Sequence, residues 1–426
     1  MQMNIRPIKK LSGDITVPGD KSISHRALMI GAITRGVTRV KGLLDCDDCN
    51  YTIAAFRKMG IAIKKEGDIT VIDGKGLRGL SKPPAPINAG NSGTTMRLLA
   101  GILAGQDFES TLTGGEGLYN RPMKRIVEPL SKMGVKIRAR DGEYPPLVIR
   151  GGEVRPVNYK TPIPSAQVKS ALLFAGLYSK GTTKITEKFK SRDHTERMLK
   201  TFGANIGIKG TSVFLKGDIE LTPKDLDVPG DISSASFFLV GALLLKGSSI
   251  KIRNISINPT RAGILKILSK MGGRIKIINK KNLFEPAGDI VAEYSRTRGI
   301  TIDKDMIPGI IDELPIIFVL ASLSKGRTIV KGAEELRVKE ADRINSMQEG
   351  LKAMGAKFYL KGDEVIIEGV EKLAGARLKS FGDHRTCMAM AIAAITAGGE
   401  SRIEGAESVS KSFPGFFGVL ANLSMA

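Results

Sequence analysis

The sequence predicts an α/β protein of two domains, each built from three similar units, and three recurrences carry that prediction. An apolar run that opens on polar residues and closes on glycine appears six times, ending at Gly36, Gly105, Gly181, Gly247, Gly326 and Gly399. An amphipathic run ending in glycine follows five of them, at Gly60, Gly134, Gly203, Gly272 and Gly355, and each leads into a strand-like segment. The tetrapeptide Val17-Pro-Gly-Asp20 returns as Val228-Pro-Gly-Asp231, an offset close to three repeats. It sets domains of residues 18–227 and of 1–17 with 228–426.

Each of the six apolar runs reads as a helix apolar on most faces, and hence buried. Its polar start is then a buried helix N-terminus, where free backbone N–H groups and the helix dipole favour anions. The amphipathic runs stop at glycine with lysine nearby, a common helix C-terminus. A repeat of about 70 residues exceeds the common solenoid units and fits a small α/β unit better. The sixth amphipathic run, SKSFPGFFGVLANL, has no strand after it. The N-terminal piece NIRPIKKLSGDITV is expected to supply the missing strands, closing the chain on itself.

Hydrophobic content of 42% and charged content of 25% are those of an ordinary globular protein. No apolar stretch reaches the roughly 18 residues of a membrane span, and the N-terminus lacks the apolar core of a signal peptide. A cytoplasmic protein with no membrane partner is expected. The net charge of +22 admits nucleic acid, a heat-adapted surface, or a cleft for small anions. Lysines scattered through every repeat, 5% aromatics and no tryptophan weaken the nucleic-acid reading.

Cys46 and Cys49 form a C-x-x-C, but only Cys387 and three histidines remain as soft ligands. No metal site is expected; a thioredoxin-like redox pair is the alternative to the plainer reading of a helix start beside Asp45, Asp47 and Asp48. Gly74-Lys-Gly-Leu-Arg-Gly79 matches G-x-G-x-x-G, yet the proline-rich LSKPPAP after it cannot be the helix a dinucleotide site needs.

The candidate chemistry gathers at helix starts. Lys21, Ser22 and Arg26 surround the first turn of a buried helix, where cations oppose the dipole unless an anion joins them. Asn91-Ser-Gly-Thr-Thr95 precedes Arg97, and Gly93 would let a ligand approach the backbone. Ser165 and Gln167 open a third helix, with capping alone as the alternative. Asp312 and Glu313 start a helix inside an apolar run, as a cap or a general base. Glu340 stands with Lys339 and Arg343, on a helix if these are solvated i, i+3 pairs. Asp383-His384-Arg385 and Arg121-Pro122 are further cationic starts.

At these residues the chain resembles the 5-enolpyruvylshikimate-3-phosphate synthases, of the enolpyruvyl transferase family. The resemblance spans essentially the whole length through PGDKSISHRAL, NAGNSGTTMRLL, NRPM, PSAQVKSALL, SRDHTERML, PGIIDELP, RVKEADRI, GDHRTCMA and SKSFPGFF. It implies two domains of three βαβαββ repeats, of inside-out α/β barrel type, with a cleft between them that closes on substrate. It also implies transfer of the enolpyruvyl group of phosphoenolpyruvate to shikimate 3-phosphate by a monomer without metal or cofactor. By motif, Lys21, Ser22, Arg26, Ser165, Ala166, Gln167, Ser191, Asp312 and Lys339 would hold shikimate 3-phosphate. Lys21, Gly93, Arg121, Gln167, Arg343, Arg385 and Lys411 would hold phosphoenolpyruvate. Asp312, Glu340 and Lys21 would move protons. Ala166 stands where many members carry a second serine, and Leu98 where many carry proline. Gly93, rather than alanine, implies that glyphosate can enter the phosphoenolpyruvate pocket. A sister enzyme acting on UDP-N-acetylglucosamine typically has Lys-Asn at the first motif and a cysteine in the turn before Arg-Pro. Here those positions read Lys21-Ser22 and a turn without cysteine.

Overall fold

Each of the six expected helices packs nearly all of its surface away from water. In Lys21–Ala32, Gly93–Leu103 and Ala166–Gly176 almost every residue after the first turn is buried. The same holds for Ile232–Leu244, Leu314–Ser322 and His384–Ile395. The computed structural model describes residues 1–425. It divides into two compact units, residues 19–228 and residues 1–18 with 229 onward.

The unit of residues 19–228 holds three four-stranded sheets with the same wiring. In its second repeat the short strand Ile87–Asn88 runs parallel to Glu109–Thr113. Glu109–Thr113 pairs antiparallel with Tyr144–Arg150, which in turn forms a hairpin with Lys136–Arg140. The buried helix lies between the first two strands in sequence, and an amphipathic helix lies between the second strand and the hairpin. That is a βαβαββ unit. The third repeat uses Asn158–Lys160, Thr182–Thr186, Ile206–Lys209 and Ser212–Lys216 in the same way. In the first repeat the parallel edge strand is Leu226–Asp227, from the far end of the unit, beside Arg35–Lys41.

The other unit repeats the scheme with its own closure. Thr301–Ile302, Arg327–Lys331, Lys357–Lys361 and Glu364–Glu368 form the fifth repeat. Ser12–Ile15 is the parallel edge of the fourth repeat, beside Ser249–Ser256. Gln2–Ile5 pairs antiparallel with Ser401–Glu404 and completes a three-stranded sheet in the sixth. The expectation that the N-terminal piece serves the sixth copy therefore holds for its first strand, while its second joins the fourth. Phe237 and Phe238 of the fourth buried helix pack on Phe413 and Phe416, with ring centroids 5.3 to 6.0 Å apart. Aromatic pairs at this separation add to the area they bury, and they seat the sixth amphipathic helix, Phe416–Met425, on the core.

The five glycine stops take φ of +83° to +92° at Gly60, Gly134, Gly203, Gly272 and Gly355. Only glycine adopts that left-handed conformation without strain, so these positions end their helices where the sequence pattern says they should.

Candidate active site

In the unit of residues 19–228 the three buried helices are capped by Asp20, Ser92 and Ser165. The Asp20 carboxylate accepts from the Ile23 N–H at 2.9 Å, which caps the helix whose first residues are Lys21 and Ser22. Lys21 Nζ donates to Asp48 at 2.9 Å, with both side chains about seven-eighths buried. Arg26 is held below the surface. It donates to Thr195 Oγ1 at 2.6 Å, to the Ser22 carbonyl at 2.8 Å and to Ser170 Oγ at 2.7 Å.

Gly93 begins the second helix, and a methyl group added there would lie 2.8 Å from Arg97 Nη1 and 2.9 Å from Arg121 Nη1. The missing side chain is what lets two guanidinium groups rest against this helix start. Arg97 also donates to Gln167 Oε1 at 2.8 Å and to the Pro122 carbonyl at 3.1 Å, while Gln167 donates to Thr94 at 3.0 Å. Arg121 and Pro122 lie in the turn ahead of Lys124–Lys132 rather than at the helix start that the sequence suggested.

Ser165 and Ser191 are joined by Glu187, which accepts from their backbone N–H groups at 3.2 and 3.1 Å. Lys169 holds Glu187 and Glu196 at 2.8 Å each, with all three side chains at most 2% exposed. Burial works against the Lys169 charge, but the two carboxylates outweigh it and raise its pKa. The Ser191 hydroxyl is buried and has no hydrogen-bond partner in the protein. A buried hydroxyl in that condition is costly unless a ligand satisfies it.

In the other unit the N-cap positions of the three buried helices are Asp231, Glu313 and Asp383, all acidic, and the two aspartates make the capping bonds. Arginines lie among them. Arg343 donates to Asp383 at 2.8 Å, to Glu340 at 2.6 Å and to Asp312 at 3.3 Å. Burial opposes its charge, yet Asp383, Glu340 and Asp312 together hold the guanidinium protonated far above any working pH. Of these acids Asp383 is fully buried, whereas the side chains of Asp312 and Glu340 are 17% and 22% exposed. Arg385 donates to the Asp312 carbonyl at 3.2 Å and approaches the Asp312 carboxylate at 3.5 Å. Behind it, Glu313 takes Arg261 at 2.7 Å and also contacts Ser233, and Arg261 bonds Asp231 at 3.0 Å. Asp231, Arg261, Glu313, Arg385, Asp312 and Arg343 thus alternate in sign at the starts of five helices.

Glu340 precedes its helix instead of lying on it. Glu334–Val338 is a 3₁₀ turn, and the α-helix begins at Arg343 behind the Asp342 cap. Asp342 cannot cap a helix that has already begun, so the turn breaks first and frees Glu340 to reach Arg343. Lys339 donates to Glu335 at 3.0 Å. Burial pulls its ammonium below the usual range, against the charges of Glu335 and Asp312. Lys411 is half-buried and donates to the Gly382 carbonyl at 2.6 Å. Among the described residues no group of His, Cys, Asp and Glu is arranged to hold a metal ion, and no helix is long and apolar enough to cross a membrane.

A family model described as EPSP synthase (3-phosphoshikimate 1-carboxyvinyltransferase) matches residues 5–420. The chain belongs to the EPSP synthase family. A 3-phosphoshikimate 1-carboxyvinyltransferase of Geobacter metallireducens is 48% identical over 422 residues, covering 99% of this chain and 98% of the relative. One from Bacillus cytotoxicus is 48% identical over 99% of this chain and 100% of its own length. A solved EPSP synthase of Acinetobacter baumannii is similar with a TM-score of 0.88 and 41% identity, covering 99% of this chain and 98% of its own.

For this member of the EPSP synthase family, the supporting residues were harder to read from sequence than the exposed ones. Lys169, Glu187, Glu196 and Arg261 form the buried ion pairs beneath both groups and belong to no motif of their own. Lys169 had a signal of its own. It is the one cation inside the apolar helix Ala166–Gly176, and a buried lysine calls for a buried acid.

Proposed function

We propose that this chain transfers the enolpyruvyl group of phosphoenolpyruvate to the 5-hydroxyl of shikimate 3-phosphate and releases inorganic phosphate. The observation that carries the reading is the buried Arg343 guanidinium, with a buried acid on one side and two partly exposed acids on the other. An anion-binding cation beside two acids that can reach solvent suits a reaction that moves protons on a polyanion.

Asp312 takes the proton of the 5-hydroxyl as its oxygen bonds to C2 of phosphoenolpyruvate. Glu340, helped by Lys21, gives a proton to the methylene carbon, and a tetrahedral ketal results. Glu340 then recovers a proton from the new methyl group, the C–O bond to phosphate breaks, and phosphate leaves with the proton from Asp312. Arg121, Arg343, Arg385, Lys411 and Lys21 offset the charge of phosphoenolpyruvate, with Gly93 and Gln167 in contact. Ser22, Ser165, Gln167, Ser191, Lys339 and the start of the helix at Ala166 take shikimate 3-phosphate. The unpartnered Ser191 hydroxyl is the support for a phosphate there. Arg26 adds its charge from beneath and holds the Ser22 carbonyl. The same reading makes the enzyme a cytoplasmic monomer, which sedimentation equilibrium would check for its oligomeric part.

Phosphate release from the two metabolites tests the reading, with Asp312→Asn and Glu340→Gln alongside. Each variant is expected to lose about 10²–10⁴ in kcat, the usual weight of a general acid or base. A wild type that releases no phosphate ends the functional reading. Variants that keep full rate end the assignment of the acids.

A further inference from the structure

The C-x-x-C of the first repeat is left unused by the proposed reaction. Cys46 is the N-cap of the helix Asp47–Lys58, with extended backbone and no side-chain capping bond. Cys49 lies in the first turn, three residues on. Side chains at the N-cap and three residues on lie on the same side of a helix start, as they do in a capping box. Both are unpaired in a disulfide and buried. Residues three apart in such a turn have Cβ atoms near enough for a small adjustment to bring the sulfurs into bonding range.

Between them stands Asp48, whose carboxylate holds Lys21 Nζ at 2.9 Å. The Asp48 carbonyl also accepts from Thr95 Oγ1 at 3.4 Å, which ties the same turn to the helix that begins at Gly93. A bond between the two sulfurs would tighten the turn that aims Lys21.

We propose that Cys46 and Cys49 are a reversible oxidation site, and that closing their disulfide shifts Asp48 and Lys21 and weakens binding of the anionic substrate. The second half rests on the role given to Lys21 above. Cys46 is the attacking sulfur. The neighbouring Cys49 thiol and the charge of Lys21 draw its thiol below the usual range against the effect of burial. The neighbouring Cys46 and burial push Cys49 well above it. Asp45 and Asp47 on either side are exposed, so the turn lies one layer under the surface, within reach of a small neutral oxidant when the helix end frays.

Hydrogen peroxide balances the step. The Cys46 thiolate attacks one peroxide oxygen, the O–O bond breaks, and hydroxide leaves and takes up a proton as water. Cys49 sulfur then attacks the Cys46 sulfenic acid, the S–S bond forms, and the departing hydroxide leaves with the Cys49 proton as a second water. Two thiols lose two electrons and one peroxide gains them.

The third cysteine provides an internal reference. Burial pushes the Cys387 thiol up to about 12, so it stays protonated and unreactive at neutral pH. The full chain is treated with hydrogen peroxide, unfolded, alkylated and mapped by mass spectrometry, with phosphate release measured in parallel. Cys46 and Cys49 are expected to lose alkylation together and to regain it with dithiothreitol, while Cys387 remains labelled. The KM for phosphoenolpyruvate should rise about tenfold in the oxidised protein, the size of one charge-assisted hydrogen bond. Cys46→Ser and Cys49→Ser should keep the untreated rate and lose the peroxide response.

Oxidation of all three cysteines in step, or equal inactivation of Cys46→Ser, overturns the site. A disulfide that forms with no change in KM overturns its coupling to Lys21. An untreated chain that releases no phosphate sinks the functional reading alone, because the mass measurement still decides whether the disulfide forms.

Discussion

Replacing Lys169 by methionine isolates the ion cluster beneath the Ser165 and Ser191 segments. Methionine is close to lysine in volume and removes only the charge. Two carboxylates, Glu187 and Glu196, then remain in a site where each is at most 2% exposed and each had its cation at 2.8 Å. Breaking a buried pair in this way costs about 3–5 kcal/mol. For a unit of this size each kcal/mol moves the melting transition about 2–4 °C, so a fall of roughly 6–20 °C is expected in calorimetry. The pH dependence identifies the cause. In the wild type the raised pKa of Lys169 means that its contribution is intact below 10.5 and lost only as pH climbs through the folded value. The triple variant with Glu187→Gln and Glu196→Gln should recover most of the loss, since no unpaired charge stays buried. A fall below about 3 °C, or a triple variant that recovers none of the loss, refutes the argument.

Gly93→Ala places a methyl group 2.8–2.9 Å from two guanidinium groups, so Arg97 and Arg121 must move. The KM for phosphoenolpyruvate should rise about tenfold and glyphosate inhibition should weaken, both read by phosphate release. Burial drives the His25 imidazole down to about 3, so it folds neutral, and the stability this gives is present above 6.5 and lost as pH falls toward 3. His25→Gln should therefore make the acid limb of the stability curve shallower by up to about 1.4 kcal/mol per pH unit between those values, measured by urea denaturation. Arg261→Met leaves Glu313 and Asp231 buried without their cation. A loss of about 3–5 kcal/mol in the other unit is expected, with urea melts as the check.

Much of this architecture is legible in sequence because it rests on local signals. An apolar run and a glycine stop are decided within fifteen residues, and Gly60, Gly134, Gly203, Gly272 and Gly355 show how firmly backbone sterics fix a helix end. Strand partners are decided by segments far apart. Ser12–Ile15 precedes the first buried helix in the chain and yet pairs with Ser249–Ser256, a choice that no local pattern records. The candidate site divides the same way. Residue types at helix starts were readable for Lys21, Ser165, Asp312 and Arg385. Their mutual geometry was not, because Asp48 holds Lys21 from another helix and Asp383 holds Arg343 from another repeat. Glu340 lies ahead of the helix because Asp342 is an N-cap that starts it at Arg343.

The exchange of edge strands has a consequence for the order in which the protein is made. Leu226–Asp227 closes the first repeat just as the last residues of that unit leave the ribosome, so residues 19–228 hold every strand they need. Residues 2–5 and 12–15 are translated far earlier than their partners. They must wait, unpaired, until Ser249–Ser256 and then Ser401–Glu404 have been synthesised. A nascent chain halted after residue 228 should therefore resist protease across residues 19–228 while its first 18 residues are cut. Moving those residues to the other end of the gene would let both units fold in the order they are translated.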